Sequence, residues 1–400
     1  MKKYLAFAMA LAMVAASFAG CGSSSSAPAD TTAATTAAAG EAAEAPAGTG
    51  TVKIGMSGPL TGGASAYGLA VKAGMEVAVE EINAKGGLQI EFNAQDDVAD
   101  GEKAVSAYNA LKDWGMQVMA GQVTTGSALA VAPESTSDNM FNLTPSASAE
   151  SLALSGPNVF QMCFTDPNQG ASAAELVSTK FAGSKVGIIY DSSDDYSTGL
   201  YNGFSTNASE LGVEIVATTS YTADNKADLS TQVTQCQDAG ADLVFLPIYY
   251  TEASQILTYA NRISYAPKFF GCDGMDGILD VEGFDTSLAE GLMLLTPFAA
   301  DAQDEKTQAF VSAYVAAYGE TPNQFAADAY DVIYAIYEAV LAGNINGDMD
   351  ASEICEALKT QFTSMSFDGL TGESMTWDAS GAVSKAPKAV VIKDGAYAAM

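Results

Sequence analysis

Residues 185–191, KVGIIYD, decide the fold. A nearly continuous apolar run bounded by Lys185 and Asp191 reads as a strand covered on both faces, the kind a parallel sheet uses. It is also where a strand–helix alternation begun near residue 52 starts again. Before it, VKIGMSG (52–58) is a short apolar strand ending in glycine. Val71, Met75, Ala78, Val79 and Ile82 then share one helical face, and Gly86-Gly87 stops that helix. LQIEFNA (88–94) alternates apolar and polar residues as a half-buried strand does. A helix through Ala104, Tyr108 and Leu111 follows, then strand QVMAG (117–121), a helix from about Ala128 and strand MFNLT (140–144). After residue 167, strands are expected at VEIVATTSY (213–221), ADLVFLPIY (241–249) and PKFFGC (267–272), separated by helical stretches. Residues 301–345 read as helical, and ESMTWD (373–378) with KAVVIKDG (388–395) as a terminal hairpin. Strands alternating with helices mean parallel sheets wrapped by right-handed crossovers, so an α/β chain with two such sheets is the economical reading.

Composition narrows the chemistry. The 400 residues are 48% hydrophobic, enough for two ordinary domains. The formal charge of −31 argues against nucleic acid, whose phosphates need Lys and Arg. There is no histidine, which removes Ser–His and Cys–His catalysis and histidine metal sites. Arg262 is the single arginine and falls in TYANRIS, a surface helix away from the loops described next. An anion would therefore be held by hydroxyls and backbone N–H groups.

The first 50 residues are not fold. Lys2 and Lys3 precede the apolar run YLAFAMALAMVAASF (4–18), the pattern of a secretory signal peptide over residues 1–20. Ala19-Gly20-Cys21 resembles a bacterial lipobox, with Phe18 where Leu is usual, and makes Cys21 the expected lipidation site; plain secretion with cleavage near Ala19 is the alternative. Residues 21–50 hold almost no large apolar side chain and read as a disordered linker. Cys163, Cys236, Cys272 and Cys355 are too few and scattered for a disulfide framework, so free buried thiols are expected.

In open parallel sheets, ligands bind beyond the carboxyl ends of the strands. Polar clusters of small residues fall there: SGPLTGGASAYG (57–68), GQVTTGSA (121–128) and TPSASAESL (144–152) in the first half, YDSSDDYSTG (190–199), PIYYTEAS (247–254) and GCDGMDG (271–277) in the second. Two facing rims imply a cleft. Thr124, Thr125 and Ser127 stand where a helix begins, so they suit either helix capping or an anion.

These rims resemble the type I solute-binding proteins of the branched-chain amino acid group, which deliver ligands to ABC importers. The stretches that carry the resemblance are IGMSGPLTGGASAYG (54–68), EEINAKGG (80–87), LTPSAS (143–148), FTDPNQG (164–170), YDSSDDYSTGL (190–200), SYTADNKADLSTQV (220–233), VFLPIYYTEASQIL (244–257), FGCDGMDG (270–277) and LTGESMTWDASGAV (370–383). The resemblance implies a periplasmic-binding-protein-like type I fold: lobe I at 51–166 and 297–366, lobe II at 167–296 and 367–400, joined by three crossings and closing on the ligand. It implies that Thr125 meets a ligand carboxylate, and that Ser146, by its backbone, and Ser148 meet the ammonium. Asp273, where many relatives carry Glu, pairs with that ammonium. Tyr67, Tyr196 and Tyr249 line the cleft, while Tyr250 points away and Asp276 caps a helix. The expected ligand is an amino acid, branched-chain or otherwise hydrophobic. The expected partners are the permease subunits of an ABC transporter and the membrane, reached through the lipid anchor on the outer side of the cytoplasmic membrane. No cofactor and no catalysis are expected. A sensing subunit of a membrane receptor, or a binding protein for a small amide or organic acid, shares these features; a secreted glycosidase using paired carboxylates is the third alternative. Asp96-Asp97 and Asp194-Asp195 are adjacent pairs that diverge on loops, and Gly62-Gly63 makes no nucleotide motif. NINGDMDASE (344–353) misplaces its glycine for a calcium loop and reads as a capping box, Asp350 with Glu353.

Overall fold

The computed structural model describes residues 50–400; the signal segment, Cys21 and all but the last residue of the linker lie outside the described residues. The first sheet contains β1 (Thr51–Gly58), β2 (Gln89–Asp96), β3 (Val118–Met119), β4 (Asn142–Thr144) and β5 (Val159–Gln161), in the order β2-β1-β3-β4-β5. Every pairing in it is parallel. Its crossovers are helices α1 (Ser65–Lys85), α2 (Gly101–Trp114), α3 (Thr125–Ser137) and the single turn α4 (Glu150–Ala153). The expected face of α1 is the buried one: Val71, Met75, Ala78 and Ile82 have no exposed surface. Gly86, at φ 74°, ends it in a conformation that costs other residues strain. Strand β5 is an element that its sequence did not announce. VFQ is three residues long, and its burial under Phe141 and Phe362 (Phe160 ring centroids at 5.0 and 5.6 Å) is a tertiary matter.

The second sheet has the order β12-β11-β10-β9-β8-β6-β7. Helix α5 (Asp166–Lys180) leads into β6 (Lys185–Asp191), α6 (Asp195–Leu211), β7 (Glu214–Tyr221), α7 (Ser230–Asp238), β8 (Leu243–Leu246), α8 (Tyr250–Arg262), β9 (Lys268–Gly271) and β10 (Met293–Thr296). These strands run parallel, as KVGIIYD requires. The chain then returns to the first sheet's helices. Among α9 (Glu305–Tyr318), α10 (Gln324–Ala342) and α11 (Ala351–Phe362), α10 lies against α1. That approach needs Gly74, where a Cβ would sit 2.0 Å from the Ala326 carbonyl oxygen. Asp350 and Glu353 form the expected capping box on α11.

The terminal hairpin differs from expectation. Strand β11 (Lys388–Lys393) pairs antiparallel with β10 and with β12 (Ala396–Ala399), not with ESMTWD. The turn between them is Asp394-Gly395, both at positive φ, which is the two-residue turn that matches strand twist. ESMTWD instead stays by the first sheet: Met375 bridges to Phe367, and the Trp377 indole N–H donates to the Gln161 carbonyl at 2.8 Å. Only at Lys388 does the chain enter the second sheet. Cys163, Cys236, Cys272 and Cys355 are free and buried. Among the described residues, no helix is long and apolar enough to cross a membrane.

Candidate functional site

The carboxyl ends of the two sheets meet around one small cavity. Tyr67, Val123, Thr124, Thr125 and Ser146 reach it from the first sheet, Tyr196, Tyr249, Asp273 and Gly274 from the second, and Phe325 from α10. Six of the seven ligand-contacting residues expected from sequence therefore stand on one cavity. The seventh, Ser148, is fully buried beside it and is not on its wall.

The first-sheet wall is built on the start of α3. Thr124 has the extended backbone of an N-cap (φ −99°, ψ 148°), yet its hydroxyl makes no cap hydrogen bond. The first backbone N–H groups of a helix have no partner within it, and they carry its positive end. Here Thr124 and Thr125 line the cavity at that helix start, and no side chain caps it. Thr125 Oγ1 accepts the Ser148 N–H at 3.3 Å, which pins the β3 and β4 loops together. The Ser146 hydroxyl donates to the Val123 carbonyl at 2.7 Å, leaving the Ser146 backbone as its contribution to the cavity. The Ser148 hydroxyl, buried, has no hydrogen-bond partner of normal geometry.

The second-sheet wall is built on Asp273, in the turn after β9 and only 4% exposed. The Tyr196 hydroxyl donates to its Oδ1 at 2.7 Å, and the Gly274 N–H donates to the same oxygen at 2.9 Å. Burial pushes the Asp273 carboxyl above the usual range, while the bonds from Tyr196, Gln169 and Gly274 pull it down. No lysine or arginine lines the cavity, so this acid has no cationic partner there. Burial also pushes Tyr67, Tyr196 and Tyr249 well above the ordinary phenol value, so they remain neutral donors.

Aromatic rings close the remaining sides. Tyr196 stacks on Tyr249 with centroids 4.9 Å apart and planes 7° from parallel. Tyr67 packs against Phe325 at 4.6 Å and Tyr249 at 5.7 Å. Its hydroxyl donates to the Gly274 carbonyl at 2.6 Å, joining the two walls. Two more ties cross between the sheets: the Ala66 N–H donates to the Tyr250 hydroxyl at 3.2 Å, and the Thr251 hydroxyl donates to the Gly63 carbonyl at 2.7 Å. Tyr250 is thus off the cavity, as expected, but it holds the walls together. Asp276 Oδ2 accepts the Gln324 N–H, so the helix end it serves is that of α10.

Gln169, Gln324 and Phe325 were not singled out from sequence. Gln169 lay inside the quoted FTDPNQG motif and accepts the Asp273 N–H on its Oε1 at 3.2 Å. Gln324 Nε2 donates to the Asp273 carbonyl at 3.2 Å. The last two come from a helix about fifty residues beyond the rest of the site, and only packing brings them here. Chemically, the cavity offers helix-end donors on one wall, a lone carboxylate on the other and aromatic faces between. That is complementary to a small molecule with an anionic end, a cationic end and an apolar body.

The periplasmic binding protein family model matches residues 51–396. The Leucine-, isoleucine-, valine-, threonine-, and alanine-binding protein of Pseudomonas aeruginosa is 25% identical over 313 residues, covering 77% of this chain and 82% of that protein. The Leu/Ile/Val-binding protein of Escherichia coli K12 is 26% identical over 334 residues, covering 82% and 87%. Among solved structures, the branched-chain amino acid transporter substrate binding protein LivJ from Streptococcus pneumoniae, in complex with isoleucine, superposes with a TM-score of 0.79 at 28% identity. That match covers 87% of this chain and 98% of the other.

Proposed function

Because the chain belongs to the periplasmic binding protein family, we propose that it is the exported substrate-binding component of an ABC importer and takes a branched-chain or other hydrophobic amino acid. One observation carries the reading: a single cavity sets the unpartnered start of α3 opposite a buried acid that has no cation of its own. An α-amino acid supplies both missing partners. Its carboxylate meets Thr125 and the neighbouring amides, and its ammonium meets Asp273 with the Ser146 backbone. Ser148 braces the Thr125 loop. The side chain lies among Tyr67, Tyr196 and Tyr249. Charge-assisted bonds contribute about 1.5–3 kcal/mol each, so three of them with apolar burial support micromolar binding or better.

Two lobes are proposed to close on the ligand about three crossings, lobe I carrying 51–166 with the helices from 297 onward and lobe II carrying 167–296 with the C-terminal strands. A third crossing at 386–387 is the boundary we favour over 366, and the bonds from Trp377 and Lys385 to Gln161 and Met162 support it. The ties from Tyr67, Tyr250 and Thr251 form only when the lobes meet, so a ligand that completes the cavity favours the closed state by its differential affinity. The reading is tested by differential scanning fluorimetry against leucine, isoleucine, valine, benzoate and urea. A ligand present at ~100 Kd adds about 2.7 kcal/mol of stability. Leucine, isoleucine or valine is expected to raise the melting temperature and benzoate and urea to leave it unchanged; the reverse pattern transfers the site to organic acids or amides.

Anchoring through Cys21 belongs to the same proposal and rests on the sequence Ala19-Gly20-Cys21 behind the signal segment. It would keep the protein beside the permease subunits on the outer face of the cytoplasmic membrane. Metabolic labelling with palmitate is expected to mark the wild type and not Cys21→Ala; equal labelling of the two removes the anchor.

A further inference from the structure

We propose that a groove between α4 and α6, floored by Asp166, is a second binding site and takes a small free cation carrying a guanidinium group. The groove is separate from the cavity described above, and no residue lines both. It offers about 400 Å³, within the range of small-molecule sites. Glu150, opening α4, forms one side; Asp195, Asn202, Thr206 and Asn207 of α6 form the other. Asp166 and Pro167, opening α5, lie between them. Among the described residues, no lysine, arginine or aromatic side chain lines it. Carboxylates, amides and hydroxyls suit a cation rich in N–H donors and give a large apolar side chain nothing to cover.

Asp166 is 0% exposed, and neither of its carboxylate oxygens has a hydrogen bond of normal geometry. Its backbone N–H is already given to the Ser148 carbonyl at 2.9 Å, and Pro167 after it has no N–H to offer. Across the floor, Gly199 brings bare backbone of α6 against the carboxyl: a Cβ there would sit 2.8 Å from Asp166 Oδ2. A buried acid left without donors is costly. Burial pushes Asp166 well above the usual range, and the charges of Asp273, Asp194 and Asp195 push the same way. A cation is the partner that reverses this, because opposite charge favours the ionised form. With both oxygens unused, a planar guanidinium can engage them together by two parallel N–H···O bonds. Its remaining N–H groups then meet the carboxylates and amide oxygens of the rim. Glu150, Asp195, Asn202 and Thr206 are exposed, so the rim is free to turn aside as a ligand approaches the floor. A divalent metal fits less well: among the described residues, no three acids stand together as metal ligands would.

The test is titration calorimetry of the full-length protein with agmatine, and with putrescine as a diamine that lacks the guanidinium. It is run in about 0.15 M salt, which screens exposed charges beyond ~8 Å, both without leucine and with leucine in excess. Wild type is expected to bind one agmatine saturably in at least one of the two conditions. Putrescine, and agmatine with Asp166→Asn, are each expected to bind at least about tenfold more weakly, the loss of one charge-assisted pair. Should Asp166→Asn not fold, as judged by circular dichroism, Thr206→Arg carries the comparison: it sets a guanidinium of the chain's own on the exposed rim and is expected to abolish agmatine binding. No saturable binding in either condition, equal binding of putrescine, or agmatine affinity unchanged in the folded variants would mean that the acidic surface merely gathers counter-ions, and each overturns the inference. Failure of wild type to bind leucine overturns the amino-acid reading of the first cavity instead, while the agmatine titration still decides the groove.

Discussion

Asp273→Ala is expected to weaken leucine binding by about ten- to a hundredfold in titration calorimetry, the effect of losing one charge-assisted hydrogen bond of about 1.5–3 kcal/mol. No other acid lines the cavity, and no lysine or arginine is available to reorganise around the loss. Asp273→Asn keeps the shape and is expected to weaken binding as well, because a neutral amide forfeits the charge. The same substitution is expected to raise the melting temperature of the ligand-free protein, since it removes a carboxylate whose burial opposes ionisation. The pH dependence has a definite sign. Burial raises Asp273 in the folded state and lifts Asp97, Asp194, Asp276 and Asp328 to about 6. The folded protein therefore holds these protons more tightly than the unfolded chain, whose aspartates titrate near ~3.9. The stability so conferred is complete below that value and is lost as pH rises through the folded values. Ligand-free protein is expected to melt higher at about pH 5 than at about pH 7, whereas the increment from leucine is expected to grow as rising pH ionises Asp273. Unchanged leucine affinity in Asp273→Ala would move the ammonium contact elsewhere.

Lys385→Met is expected to lower stability by about 3–5 kcal/mol in urea unfolding, because it strands a buried carboxylate. The Lys385 ammonium bonds to Asp328 and donates to the Met162 carbonyl at 3.0 Å; the two side chains are 1% and 4% exposed. Burial is the larger influence on Asp328, which stands near 6 even with Lys385 drawing it down. Asp331, one turn along α10, is also buried and accepts the Leu370 and Thr371 N–H groups and the Thr371 hydroxyl. Three chain segments meet at this pair: the end of β5, the start of α10 and the approach to β11. Lys385→Met with Asp328→Leu is expected to recover most of the loss, since an apolar pair of similar volume replaces a buried ion pair at little cost. A single variant as stable as wild type would mean that water reaches Asp328.

What was legible in sequence follows from the range of the forces involved. KVGIIYD, LQIEFNA and the α1 face are local patterns, and each became the expected element. The loops at the strand ends were equally readable. A ligand at the carboxyl edge of parallel strands is a rule of topology, and six of the named residues stand on one cavity. The misreadings came from contacts made at a distance. ESMTWD and KAVVIKDG both look like strands, but pairing partners are chosen by what lies alongside: Trp377 satisfies the Gln161 carbonyl by the first sheet, while the Asp394-Gly395 turn folds β12 back on β11. Thr124 suited either a helix cap or an anion, and only the fold shows its hydroxyl unused as a cap.

The order of residues determined the period of each element, the absence of histidine chemistry and the small polar loops that a ligand needs. Tertiary structure alone decided that Ser148 would stand behind the wall, that Phe325 would arrive from α10, and that Gln169 would reach Asp273 across 104 residues. The physical reason is that periodicity is written by neighbours a few residues apart. The partner of a buried polar atom is whichever group the packing of distant helices leaves within about 3 Å.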